Sequence, residues 1–582
     1  MLFRSDVFKD AQDLNETALL MSMAKYGNSG GQTYFQASSE DAILNALRQI
    51  LVDIQSVNAV FAAASLPIAA NNRTQNENQV FIGMFHPDGS GGPRWYGNLK
   101  QYQVALFGAD AKLADADGHE AISSATGFVQ ACARSFYTTD STVTVAGVPT
   151  FYWSFSPSSA GTCTSVANSA SNDQPDGPVV EKGATAEVLR RGNSTTQLPP
   201  FTVTRTMQTC TDAPCASLVD FNNNNVPVAR TGAANATENQ QVIDYTLGKD
   251  INDENGNANQ TEPRSSIHGD VTHSRALPVN FGATDPARGV ELYYGSNDGA
   301  FHGIRARDGT EKWSFIAPEH HRKLLRLFKG QPIINYPNID PLITPRPIPK
   351  DYFFDGSTGL HQNADNSRVW IFPTQRRGGR MVYGFDVSSA GTPAFMWVAG
   401  CPNLTDDAGC TAGMDGIGQT WSIPSVGFIK GYSGGSAPVV IFGGGYDNCE
   451  DKDDVATACT ASTKGNKVYI LDARTGSLIK SFDTDRSVSS DVTLIDRDFD
   501  GNVDHVYLTD NGGGLYRVDF IDPSSFAALA PGSWTITKIA ATKGASRKLQ
   551  FGPAALATAK AVYLAVGSGD RERPLIDRKS VV

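Results

Sequence analysis

The stretch Asp496-Arg-Asp-Phe-Asp-Gly-Asn-Val-Asp504 sets carboxylates at positions 1, 3, 5 and 9 of a loop and a glycine at position 6. A hard cation such as Ca2+ takes about six to eight oxygen ligands, and alternate residues of a tightly curved loop can turn that many inward where glycine permits the bend. The expected ligands are the side chains of Asp496, Asp498, Asp500 and Asp504 and the backbone carbonyl of Asn502 at position 7, with Arg497 and Phe499 pointing away. The loop departs from a helix-flanked EF-hand. Position 12 is Tyr507 where that motif carries a bidentate Glu, and the flanks Val492-Thr-Leu-Ile and His505-Val-Tyr-Leu have strand character. Asp504 then has to complete the shell with the help of water. Four carboxylates this close repel one another without a cation, so metal should stabilise this corner. Mg2+ fits less well, because it prefers fewer protein ligands and a strict octahedron. An ordinary acidic turn uses the same residue types, but carboxylates at four odd positions with a glycine at the sixth are a far more restrictive pattern.

Other polar clusters carry less chemistry. In Asp250-Ile-Asn-Asp-Glu-Asn-Gly-Asn the glycine falls at position 7 and no acid closes the loop, so it reads as a solvated turn, as do Asp115-Ala-Asp-Gly and Glu450-Asp-Lys-Asp-Asp. His268-Gly-Asp-Val-Thr-His273 brings two imidazoles near a carboxylate. Five residues apart in a strand they would face opposite sides, and a hydrogen-bonded turn is the better reading. Nucleophile-elbow, phosphate-loop and zincin patterns do not occur, and neither does Asp-x-Ser-x-Ser. No catalytic or organic-cofactor residue is therefore assigned, and the chain is read as a non-enzyme.

The elements that must hold the loop are strands. After about residue 265, short apolar runs alternate with Gly/Asp/Asn turns, most clearly from Val290 to Phe315, where Asn297-Asp298-Gly299 and Asp308-Gly309 make two hairpin turns. Comparable units start at Arg380, Lys467, His505 and Ala561. Irregular repeats of this kind suit four-stranded propeller blades, each covering its neighbour's apolar face, although a β-sandwich shares the signal. Residues 1–70 read as helical, with Ile43, Leu47, Ile50 and Ile54 on one face and Ser39 as a cap. Residues 71–264 form a strand-and-loop connecting region, loop-heavy from 157 onward, with a helix near Ala184 to Arg191. The expected fold class is mainly β, a modified β-propeller over residues 265–582 with an N-terminal helical and strand extension.

The 582 residues exceed one compact core. With 49 Lys+Arg against 60 Asp+Glu the net charge is −11, which disfavours a nucleic-acid partner and leaves carboxylates for cations. No apolar run approaches the roughly 20 residues a membrane-spanning helix needs. Residues 1–23 lack the uninterrupted apolar centre of a secretory signal. The eight cysteines nevertheless point to an exported protein. They fall into the close pairs Cys132/Cys163, Cys210/Cys215, Cys401/Cys410 and Cys449/Cys459, with no Cys-x-x-Cys and no matching His cluster, and are expected to form local disulfides rather than a metal site.

Leu292-Tyr-Tyr-Gly-Ser-Asn-Asp-Gly-Ala-Phe-His-Gly, followed by Trp313-Ser-Phe-Ile-Ala-Pro-Glu, resembles the signature of PilY1-type pilus proteins. The resemblance extends to Gln79-Val-Phe-Ile-Gly-Met-Phe, Arg94-Trp-Tyr-Gly-Asn-Leu-Lys, Ile267-His-Gly-Asp-Val-Thr-His-Ser, Gly443-Gly-Gly-Tyr-Asp and Asp510-Asn-Gly-Gly-Gly-Leu-Tyr-Arg. It implies a modified propeller of about seven blades whose Ca2+ loop, again Asp496, Asp498, Asp500, Asn502 and Asp504, helps control pilus extension against retraction. It also implies a location at the cell surface and pilus tip, partners among type IV pilus components such as minor pilins, attachment to host or abiotic surfaces, and twitching motility. In such proteins a signal peptide and a von Willebrand factor A-like domain come first. Residues 1–70 resemble the tail of that domain, and the sequence stops where the family continues into a closing blade segment, which is expected to leave a strand edge exposed. Two rival readings share the blade motifs. One is a quinoprotein dehydrogenase-like enzyme binding pyrroloquinoline quinone and Ca2+, against which the absence of a Cys-Cys pair counts; the other is a purely structural secreted scaffold.

Overall fold

The computed structural model describes residues 78–569 except 125–126, 142–171, 195–200, 212–214, 336–341, 452–462, 543–546 and 559–560, together with the backbone of five short strands. The chain divides into two units, Met1–Ala59 and Val60–Val582. In the first, β1 (Leu2–Ser5) pairs in parallel with β2 (Tyr34–Ala37). The helix expected around residues 41–55 lies outside the described residues.

The second unit is a succession of antiparallel meanders. β3 (Ala63–Ser65), β4 (Gln79–His86), β5 (Tyr96–Phe107) and β6 (Asp110–Ala114) form one sheet. The hairpin β7 (Thr142–Val145) and β8 (Val148–Phe151) and helix α1 (Ala184–Arg190) follow. Next come β9 (Met207–Cys210), β10 (Leu218–Asp220), α2 (Val228–Thr231) and α3 (Ala236–Leu247). A second sheet holds β11 (Leu277–Asn280), β12 (Val290–Gly295), β13 (Phe301–Arg305) and β14 (Glu311–Phe315) and is followed by α4 (His321–Lys329). Three further four-stranded sheets are β15 (Thr358–Gln362) to β18 (Ala394–Cys401), β19 (Ser425–Phe428) to β22 (Leu478–Asp483), and β23 (Thr493–Ile495) to β26 (Thr535–Ala541). The pair β27 (Ala554–Ala557) and β28 (Val562–Ala565) comes last. Within these sheets lie β16 (Val369–Pro373), β17 (Arg380–Asp386), β20 (Pro438–Gly443), β21 (Lys467–Asp472), β24 (His505–Thr509) and β25 (Gly514–Asp519). Among the described residues the run of sheets does not close into a ring.

Alternation along each strand explains the stacking. In β20, Val439 and Ile441 enter a core shared with the β23–β26 sheet, while Val440 and Phe442 enter one shared with the β15–β18 sheet. In β17, Met381, Tyr383 and Phe385 pack toward the β11–β14 sheet and Val382 toward the β19–β22 sheet. Because a strand sends successive side chains to opposite faces, a strand apolar at every position needs a neighbour on both sides. That is the requirement of a propeller blade, and it is why the middle strands carry no polar alternation. Both hairpin turns expected between Val290 and Phe315 are present, with Gly299 at φ 113° and Gly309 at φ 69°.

The connecting region is more ordered than its composition suggests. Helix α3 is capped by Asn235, whose side chain accepts from the Glu238 N–H at 3.0 Å while the Glu238 carboxylate accepts from the Ala234 N–H at 2.5 Å. β9 pairs in parallel with β14 and so extends the β11–β14 sheet to six strands. The Cys210–Cys215 and Cys401–Cys410 disulfides are formed. Cys132 and Cys449 are also disulfide-bonded, and the expected partners Cys163 and Cys459 lie outside the described residues. Among the described residues no helix is long and apolar enough to cross a membrane.

Successive sheets approach so closely that some positions admit only glycine. A Cβ on Gly295, at the end of β12, would lie 1.7 Å from the Phe354 carbonyl oxygen. Gly295→Ala is therefore expected to lower stability by about 1–3 kcal/mol in urea unfolding. Gly532→Ala, where a Cβ meets nothing within 4 Å, should stay within about 0.5 kcal/mol of wild type.

Candidate metal centre

The loop 496–504 joins β23 to β24 in an antiparallel hairpin whose last ladder pair is Ile495 with His505. The Asp504 N–H donates to the Ile495 carbonyl at 2.8 Å, and the Phe520 N–H donates to the Asp504 carbonyl at 3.0 Å, so β25 fixes one end of the loop. The preceding sheet fixes its other side. The Val503 N–H donates to the Phe428 carbonyl at 2.7 Å, and Gly427 within β19 and Gly435 after it lie against the loop, with Gly431 between them at the same spacing of four. Cβ atoms on Gly427 and Gly435 would come within 2.6 Å of Val503 and 2.4 Å of Asn502 Oδ1, and one on Gly431 would lie 1.8 Å from the carbonyl oxygen of Leu529, beyond the loop. Gly501 sits at φ 88°, the left-handed backbone that the tight bend needs.

Three of the expected ligands converge. Asp496, Asp498 and Asp504 each offer a carboxylate oxygen within 4.8 Å of the others, a group that can hold a metal ion. The loop's own N–H groups orient them: Gly501 donates to Asp496 Oδ2 at 2.8 Å, Asp500 to Asp498 Oδ1 at 3.2 Å and Arg497 to Asp504 Oδ2 at 2.8 Å. Asp496 Oδ1 and Asn502 Oδ1 are buried without a hydrogen-bond partner. An unpaired buried acceptor costs free energy; the Asn502 Oδ1 faces Gly435, but the Asp496 oxygen belongs to the converging carboxylates, where a bound cation is one way to satisfy it, so the donor set fits a hard metal. Asp504 is held above the usual carboxylate range, first by burial and then by the charges of Asp498 and Asp496, although the Arg497 N–H pulls the other way.

Asp500 does not join this group. Its Oδ1 accepts from the Asn502 N–H at 2.8 Å and the Asn502 side-chain amide at 3.0 Å, and its Oδ2 meets Lys430 Nζ at 3.0 Å. The Asn502 amide and then Lys430 hold the Asp500 carboxyl below its usual range. Phe499 is 76 % exposed, and the Arg497 guanidinium lies 4.7 Å from the Phe526 ring centre. Phe499 thus has the outward placement expected of it, and Arg497, half-buried, packs against Phe526. Lys430, the residue that reasoning from the sequence missed, lies 70 positions before Asp500. Only the packing of two sheets brings it there, and the glycine spacing at 427, 431 and 435 is the sole local sign of a close contact.

The other clusters are internally paired. Asp115 Oδ1 accepts from the N–H groups of Asp117 and His119 and its Oδ2 from the Arg134 N–H, which makes it a turn. His268 and His273 serve different partners: His268 Nε2 bonds Tyr294 at 2.7 Å, and His273 Nδ1 bonds Asp355 at 2.7 Å. A serine–histidine–glutamate row does exist. Ser296 Oγ lies 2.9 Å from His302 Nε2, and His302 Nδ1 lies 2.7 Å from Glu311 Oε1. Burial opposes charge on His302, but Asp298 and then Glu311 outweigh it and raise the imidazole to about 9, which favours the protonated form over the neutral one a general base would need. Burial likewise disfavours a charged Glu311, yet Arg205 and then His302 pull it down to about 2, and Ser296 itself donates to Asp298 at 2.5 Å.

Residues 272–533 match the family described as the PilY1 beta-propeller domain. The chain is 24% identical over 330 residues to the type IV pilus biogenesis factor PilY1 of Pseudomonas aeruginosa (strain UCBPP-PA14), an alignment covering 51% of this chain and 24% of that protein. It thus spans about a quarter of the length of that curated relative. Among solved structures, the Pseudomonas aeruginosa PilY1 C-terminal domain is similar at 20% identity and a TM-score of 0.32, over 51% of this chain and 59% of that one. BamB from Moraxella catarrhalis is similar at 12% identity and a TM-score of 0.24, over 50% and 58%.

The protonated His302 has a measurable consequence. A histidine raised in the folded state adds stability that is fully present below the free imidazole value near 6.5 and drains away as pH rises through about 9. Urea midpoints should therefore fall between pH 6.5 and pH 9, and Ser296 should resist a fluorophosphonate probe at neutral pH; labelling of Ser296 would contradict this account.

Proposed function

Because residues 272–533 of this chain belong to the PilY1 β-propeller family, we propose that it is a Ca2+-binding type IV pilus biogenesis factor and adhesin. It acts at the cell surface and pilus tip, supports pilus extension against retraction, and contributes to twitching motility and surface attachment through contacts with pilus components. The carrying observation within the chain is the convergence of Asp496, Asp498 and Asp504 with the unpaired buried Asp496 Oδ1. In this reading Asp496, Asp498 and Asp504 supply carboxylate oxygens, the Asn502 backbone carbonyl and water add further ligands, and Asp500 is recruited from its partner. Ca2+ would supply positive charge that cancels the mutual repulsion of these carboxylates and braces the β23–β24 hairpin.

The number of oxygens the loop can offer favours Ca2+ over Mg2+: four aspartate side chains and the Asn502 backbone carbonyl suit the six to eight ligands of Ca2+ better than the few protein ligands and strict octahedron of Mg2+. The raised Asp504 adds a pH dependence: the ionised carboxylate binds the cation, so affinity falls as pH drops through the raised value, earlier than for a free carboxylate.

Terbium luminescence and calorimetry test the site. Asp498→Asn should weaken Ca2+ binding by about ten-fold or more and remove the rise in thermal midpoint that Ca2+ gives the wild type. Equal binding in both proteins would remove the site. For the cellular role, a strain carrying Asp498→Asn should show altered surface piliation or twitching, and unchanged behaviour in both assays would favour a metal that only braces the blade.

A further inference from the structure

We propose that Lys430 is a built-in rival cation for Asp500, and that loading a divalent ion into the 496–504 loop draws Asp500 off Lys430 and loosens the loop's contact with the segment after β19. The inference rests on the cation-binding reading above and adds to it a residue, outside the loop, that sets affinity and relays occupancy to the neighbouring sheet.

Of the four loop aspartates, Asp500 alone stands apart from the converging carboxylates, and its outer oxygen is engaged by an ammonium from the preceding sheet at 3.0 Å. The ammonium is thus placed beside the acidic group by its direct contact with Asp500. It is a single charge on a flexible stem, 61 % exposed, and such a pair is weak in solvent. A divalent ion would offer Asp500 twice the charge at contact distance, backed by three carboxylates already brought together. Competition between the two is thus one-sided, but Lys430 subtracts from the affinity.

The mechanical consequence follows from where Lys430 sits. It lies between Gly427 and Gly435, the segment pressed on the loop from the other sheet. Asp500 also holds the Asn502 amide, whose Oδ1 faces Gly435. When Asp500 turns toward a bound ion, the Lys430 contact is released and the Asn502 side chain loses its acceptor. Both changes loosen the same seam, leaving the Val503 N–H to Phe428 carbonyl bond as its backbone tie. Occupancy of the loop thereby becomes a change in how two successive blades are fastened.

The test uses the full chain, with Ca2+ and Tb3+ as probes, comparing wild type, Lys430→Met and Lys430→Arg. Lys430→Met keeps the aliphatic stem and loses the charge. It should bind Ca2+ about two- to five-fold more tightly, with Lys430→Arg close to wild type. Amide exchange in residues 429–437 should speed up on Ca2+ addition in wild type and be fast with or without Ca2+ in Lys430→Met. Unchanged or weaker binding by Lys430→Met, or slower wild-type exchange in residues 429–437 on Ca2+ addition, overturns the rivalry while leaving the site intact. A wild type that binds neither ion overturns the cation reading and the rivalry together.

Discussion

The structure depends on sheets stacked so closely that backbone meets backbone. Where β12 ends against the Phe354 carbonyl, and where the segment after β19 runs along the 496–504 hairpin, a single methyl group would collide. This closeness gives strands such as β17 and β20 an apolar partner on each face, and it allows a carbonyl such as that of Phe428 to accept a hydrogen bond from the next sheet. Packing at this density is intolerant of added volume and transmits small displacements. A loop at the seam of two sheets is therefore a place where a bound ion would act on more than its own hairpin.

The acidic loop illustrates how the constraint shapes chemistry. Its three converged carboxylates are arranged by the hairpin's own N–H groups, a local matter that the spacing of Asp496, Asp498, Gly501 and Asp504 already encodes. Its fourth carboxylate is governed from outside, by an ammonium that arrives with the preceding sheet. The opposite outcome appears at Ser296 and His302. There, packing between sheets sets an imidazole against two carboxylates, which raise it and favour its charged form, so that a row resembling a catalytic triad is drawn into a buried charge network.

Local patterns were legible in the sequence to the extent that they are local. The Asn297-Asp298-Gly299 turn, the strands starting at Arg380, Lys467 and His505, the helix at Ala184 and the strand-to-strand setting of the acidic loop all follow from glycine placement and strand periodicity. What was not legible depends on distant residues meeting. Nothing near Lys430 announces Asp500, nothing near Glu311 announces Arg205, and the polar composition after residue 157 hides β9, which finds its partner in β14 about a hundred residues later. The segment Ala236–Leu247 was missed for a different reason: its capping residues stand in an Asn- and Thr-rich stretch that reads as loop.

The central claim is that the 496–504 hairpin holds a divalent cation through Asp496, Asp498 and Asp504. Anomalous diffraction from crystals of this chain grown with Ca2+ addresses it most directly. The account predicts a peak with oxygens of all three carboxylates at about 2.3–2.6 Å. A map with no peak there, or with an ion bound by other residues while these three stay unligated, would contradict it.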